Sequence, residues 1–195
     1  MLVSGIRYLL DRGGFKRIIV PTSHGNHGRG YKKPRIATAA QNSHEWLLYQ
    51  FLALHFKDEP RVEFQIANGY HNIVEVFGLR VNFHHGDQIG YAGGVGGPSI
   101  PIYRRMGRTA MSSPEAVDFL NVIGHFHQLG FPPRLITNGS LIGWNSYADA
   151  KGFGYEPPQQ ASWLIDERRR CASQFTPITV DRSLIGRRKA RAYAR

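Results

Sequence analysis

Apolar residues recur along this chain with two periods, and the switching between them predicts a mixed α/β protein. Ile6, Leu9 and Leu10 share one helical face within residues 6–12, and Gly13-Gly14 ends that helix. Arg17-Ile18-Ile19-Val20 is a short buried strand running into the polar loop 21–29. Trp46, Leu47, Phe51 and Leu54 return to helical spacing behind Asn42 and Ser43 as caps, and this stripe is expected to face the core. Residues 61–67 and 73–83 alternate or run apolar like strands, with Asn68-Gly69 as a turn. Residues 99–111 read as a helix carrying Arg104, Arg105 and Arg108, and 117–123, 135–137, 141–143, 161–166 and 177–180 read as further strands. Helices early and strands clustered late predict one layered α/β domain over residues 1–181, followed by a basic, partly helical tail, 182–195.

Composition narrows this picture. With 195 residues, 42% of them hydrophobic and 12% aromatic, the chain can bury a core and is not a disordered one. The single Cys171 excludes an internal disulfide and a cysteine-rich zinc site, and it suits a reducing cytoplasm, that of the host if the chain is phage-encoded. No apolar run is long enough to span a bilayer, and the first ten residues lack a signal-peptide pattern, so no membrane partner is expected. The formal charge is +11, from 25 Lys and Arg against 14 Asp and Glu. That balance points to anionic partners, phosphate esters and DNA or RNA first among them. Arg187, Arg188, Lys189 and Arg191 in the tail are the candidate nucleic-acid contacts.

Candidate chemistry sits in three loops, each behind a strand-like segment. The first is Pro21-Thr22-Ser23-His24-Gly25-Asn26-His27-Gly28-Arg29, the second His84-His85-Gly86-Asp87, the third Gly124-His125-Phe126-His127-Gln128. Polar loops at the carboxyl ends of strands are where open α/β sheets place their ligands. In an extended backbone alternate residues share a side, so His125 and His127 are expected to project together, and only one of His84 and His85 should enter the crevice. Neutral imidazoles are common ligands of borderline metals. The glycine-rich stretch 90–98 lacks the Gly-Lys-Ser/Thr ending of a nucleotide cradle. It is either a surface connection or a loop that, with the basic helix after it, closes over a phosphate.

Together these loops resemble the calcineurin-like metallophosphoesterase superfamily. Its five blocks are Asp-x-His, Gly-Asp-x-x-Asp, Gly-Asn-His, a His often followed by Gly, and Gly-His-x-His. The last three stand here in order, as Gly25-Asn26-His27, His85-Gly86 and Gly124-His125-Phe126-His127. The wording is also similar to phosphoesterases of tailed phages that are described as DNA-repair exonuclease-like. The resemblance implies an α/β fold, the later portion of a two-sheet α/β/β/α sandwich. It implies a hydrolase for phosphoesters, phosphodiesters above all, that uses divalent manganese, iron or zinc, two ions in a complete site. Asn26, His85 and His125 would hold one ion and His127 would belong to the other. His27 would act beside the phosphate as catalytic acid, and Arg29 would bind phosphate.

Two blocks have no counterpart. No Asp-x-His occurs, and the one Gly-Asp pair, Gly86-Asp87, continues Gln88-Ile89-Gly90. The chain therefore reads as the carboxyl-terminal part of such an enzyme, with the missing strands expected from an upstream chain or lost by truncation. Alone it should be weak or inactive, with Asp87 the first carboxylate to suspect if it is not. The rival readings are a non-catalytic basic module that binds nucleic acid and an inactive remnant of the same fold.

Overall fold

The computed structural model describes residues 1–32, 36–91, 97–112 and 119–180. The basic tail, the glycine run 92–96 and the first residues of the strand expected at 117–123 lie outside the described residues.

Two parallel strands, β1 (Ile18–Thr22) and β2 (Val62–Ile66), form the first layer. Helix α1 (Leu2–Arg12) precedes them, and α2 (His44–His55) connects them. Alternation along the strands sends Ile18, Val20, Val62 and Phe64 to one side, where they pack on Ile6 and Leu10 of α1 and on Phe56. Gly13 caps α1, and Gly14 takes the left-handed conformation (φ 64°) that turns the chain away. Ser43 is the N-cap of α2, its side chain accepting from the Glu45 N–H.

The stripe expected to bury α2 does not do so. Leu47, Phe51 and Leu54 are 48%, 60% and 62% exposed, whereas Leu52 is buried. The helix is apolar on more than one side, and it turns Leu52 rather than the expected stripe into the protein.

The main sheet is four-stranded, in the order β3 (Asn72–Val76), β4 (Leu79–His84), β5 (Phe119–Ile123), β6 (Leu135–Thr137). β3 and β4 are antiparallel, and β4, β5 and β6 run parallel. The apolar run 73–83, expected as one strand, is a hairpin instead. Phe77 (φ 52°) and Gly78 (φ 80°) reverse the chain in the middle of it. One face of the sheet is covered by α3 (Ser99–Ser112), through Ile102 and Met106 against Ile123 and Leu135. The other carries Val81, Leu120 and Ile136 against Ala161, Trp163 and Ile165 of β7 (Gln159–Asp166) and Ala172 of β8 (Cys171–Thr179). β7 and β8 form an antiparallel hairpin, so two sheets stack face to face. Residues 141–143, expected as a strand, are an irregular stretch with Leu141 and Ile142 exposed; it leads to the short helix α4 (Ser146–Ala150). No helix among the described residues is long and apolar enough to cross a membrane.

Candidate metal centre

The three loops meet at the carboxyl ends of β1, β4 and β5. β4 and β5 are neighbours, and His84 pairs with Ile123, so His85 and Gly124 leave the sheet side by side. The Gly124 N–H donates to the His85 carbonyl at 3.1 Å and fixes that approach. β1 joins them through Asn72, whose side-chain amide donates to the Thr22 carbonyl at 2.8 Å.

At the meeting point Asn26 Oδ1 lies 2.9 Å from His85 Nε2, and His125 Nδ1 lies 3.3 Å from the same nitrogen. The two imidazoles stand nearly edge to face, with ring centroids 5.1 Å apart. One nitrogen thus faces an amide oxygen and a second ring nitrogen. Its single proton, if present, serves only one of them. Ligands about 2.0–2.2 Å from a common ion lie roughly 3 Å from one another, so these separations match one edge after another of a coordination shell.

Electrostatics favour the same state. Burial, first, and then the neighbouring His125, His27 and His127 push His85 down to about 4, against an opposing pull from Asp87. Burial lowers His125 as well, again against Asp87, and it lowers His127, helped by His27. Neutral imidazoles keep the lone pairs that a metal needs.

The remaining expected residues are placed less uniformly. His27 is exposed on the loop after β1, near enough that its charge acts on all three other histidines. Arg29 is exposed, and its backbone bridges antiparallel to Ser43. His127 sits between Tyr147 and Phe153, at centroid distances of 5.7 and 6.2 Å. The backbone of this loop corrects the expectation of an extended segment, because His125 (φ 65°) and His127 (φ 59°) are both left-handed. The alternation of an extended strand therefore does not apply to this pair, although the charge of His127 still acts on His125. His84 points away from the site, buried against His71 and Tyr70, as the alternation requires. Arg105 lines the hollow on that far side with His71 and His84.

Two residues that the sequence did not mark, Glu45 and Tyr70, hold the loops in place. Glu45 accepts from the Gly25 N–H at 2.5 Å, and a Cβ at position 28 would lie 2.6 Å from its Cγ. Gly28 thus leaves room for the glutamate that clasps the loop. The Tyr70 hydroxyl accepts from the Gly86 and Gln88 N–H groups at 2.9 and 3.2 Å, and burial pushes its pKa up to about 12. Asp87 follows, and its Oδ1 is buried without a hydrogen-bond partner among the described residues. Nothing local in the sequence distinguishes Glu45 or Tyr70, since both act across loops remote in the chain.

Gly25 has a steric reason of its own: a Cβ there would fall 2.9 Å from three atoms of the His85 ring. Gly25→Ala is therefore expected to push His85 off Asn26 and to destabilise the fold by about 1–3 kcal/mol. Denaturant unfolding together with the His85 imidazole NMR shifts measures this. A variant of unchanged stability and unchanged shifts would show that the loops are not packed this closely.

Two imidazoles and one amide oxygen meet here, a donor set compatible with one divalent ion. Among the described residues no group of three His, Cys, Asp or Glu side chains is arranged to hold a metal ion. Comparison of the chain with protein-family models and with curated proteins finds no match, so any assignment stands on this geometry and on the motifs.

Proposed function

We propose that the chain is the histidine-bearing part of a metal-dependent phosphoester hydrolase of the calcineurin-like type, acting on phosphodiesters. The observation that carries this reading is the convergence of Asn26, His85 and His125 from three separate loops. The stacked pair of sheets is compatible with the later portion of a two-sheet sandwich. A divalent ion bound there would acidify a bound water and offset charge on a phosphate. Within this reading Asn26 and the two histidines orient that ion, and the burial that keeps them neutral preserves their donors. His27, exposed on its loop, faces the phosphate and serves as acid to the leaving alkoxide. Among the described residues no group of three His, Cys, Asp or Glu side chains surrounds His127, so in this reading the carboxylates of a complete site come from a partner polypeptide.

The test is hydrolysis of a chromogenic phosphodiester by the purified chain with manganese. Weak, chelator-sensitive turnover is expected, lost in His125→Ala and raised by a fragment carrying Asp-x-His and Gly-Asp-x-x-Asp. Turnover indifferent to chelator, or none even with that fragment, would sink the proposal. A second reading, a basic module that binds nucleic acid without chemistry, draws support from the lack of a carboxylate-containing metal group among the described residues. It predicts DNA affinity that His85→Ala and added metal leave unchanged.

A further inference from the structure

Beside the histidines lies a hollow that the reading above does not use, and we infer that it holds the base of an unpaired nucleotide whose phosphate faces His125. The inference rests on the phosphoester reading and adds the class of substrate.

The hollow measures about 620 Å³ and has His125 in its wall. That is ample for one nucleoside, within the usual range of ligand pockets. Its other walls include Tyr91, Phe126, Tyr147 and Phe153, with Gln128 and Lys151 as the polar groups. Tyr147 and Phe153 stand edge to face, 6.1 Å between centroids at 81°. The His127 ring is tilted against the first and edge to face with the second. Lys151 Nζ lies 5.8 Å from the centre of the Tyr147 ring. Tyr147 remains 52% exposed and Tyr91 42%, so neither ring is spent on the core.

Open aromatic faces accept any flat heterocycle, an amide reads its edge, and an ammonium group offsets phosphate charge. That is how proteins grip unpaired bases. An apolar ligand would leave Lys151 and Gln128 without purpose, and a chain of charge +11 attracts polyanions rather than neutral molecules.

The same stretch of chain continues the pattern. Trp144 and Tyr155, with ring centroids 6.5 Å apart, line a second hollow of about 660 Å³ together with Pro157 and Pro158. The Trp144 backbone N–H donates to the Glu156 carbonyl at 2.9 Å and ties the ends of the stretch together. Two aromatic hollows on one short segment suit consecutive bases of a single strand, so the ligand we assign is single-stranded nucleic acid.

The experiment is titration calorimetry on the full chain without added metal. The probes are deoxyadenosine 5′-monophosphate, deoxyribose 5-phosphate, phenyl phosphate and a deoxyadenosine trinucleotide. The mononucleotide should bind at least about tenfold more tightly than deoxyribose 5-phosphate. Phe153→Ala and Tyr147→Ala should each weaken it about 5- to 150-fold, while Tyr147→Phe keeps it. Trp144→Ala should spare the mononucleotide and weaken the trinucleotide. Circular dichroism establishes that each variant is folded.

Equal affinity for the mononucleotide and deoxyribose 5-phosphate would overturn the base pocket, and so would phenyl phosphate binding as tightly as the mononucleotide. A trinucleotide no tighter than the mononucleotide would overturn the strand and leave free nucleotides as the ligand. Turnover is not read in this experiment. Base-dependent binding without any hydrolysis would therefore count against the hydrolase and not against the pocket.

Discussion

Replacing His85 by alanine is expected to lower the affinity of this chain for manganese or zinc by more than about a hundredfold. Even residues that only support metal ligands cost ten- to a hundredfold when removed, and His85 is the middle of the three donors. Its Nε2 is the atom that both Asn26 and His125 approach, so removing it takes away both contacts that join the three donors. His125→Ala should lose nearly as much, and Asn26→Ala less, since an amide oxygen is the weaker donor. His127→Ala should have little effect on the first ion, because that ring packs on Tyr147 and Phe153 rather than on the donors. Equilibrium dialysis of the four variants gives the order directly. If His127→Ala proved as damaging as His85→Ala, the three-donor centre would be wrong and a larger histidine cluster would replace it.

Acid should undo the fold through His84. This ring is buried, and burial, with the charges of His71, Arg105 and His85 behind it, pushes its pKa down to about 3 from 6.5. The unfolded chain takes up a proton near 6.5 that the folded chain refuses, so the unfolded state binds more protons between the two values. The stability due to a neutral His84 is fully present above about pH 6.5, and it is lost as pH falls toward 3. In the limit that loss is of the order of 5 kcal/mol, a large share of what a domain this size usually has. Urea unfolding at pH 7, 5.5 and 4 should show the decline. His84→Phe removes the titrating group and a ring nitrogen that has no partner among the described residues, so it should flatten the profile without a large cost at pH 7. An equally steep profile in the variant would shift the acid sensitivity to other groups.

The positions of the loops were legible because glycine and histidine stand where apolar strands stop. Gly25 allows the close approach to His85 that the motif spacing implied, and the Gly124 N–H meets the His85 carbonyl. The mixed α/β character was legible too, from the two hydrophobic periods. What periodicity did not reveal was direction. The stripe Trp46, Leu47, Phe51, Leu54 specifies a helix, but a helix with apolar residues on several sides does not announce which side meets the sheet, and Leu52 was the residue taken in. The hairpin inside 73–83 was hidden because Phe77 is apolar like its neighbours, although it occupies a turn at φ 52°. Alternation suggested an extended segment for His125 and His127, and local backbone torsion overrode it. Glu45, Tyr70 and the aromatic hollow escaped because they act between elements far apart in sequence, where no local pattern exists to be read.

The left-handed torsions at His125 and His127 have a consequence for any effort to improve this protein by selection. A residue with a side chain pays about 1–2 kcal/mol to sit in that region, and glycine pays almost nothing. A screen that rewards thermal endurance alone would therefore drift toward glycine at both positions and discard the imidazole that the proposed metal centre takes from His125. Under the proposed function, endurance and metal binding pull in opposite directions at His125, and a useful screen has to score both at once.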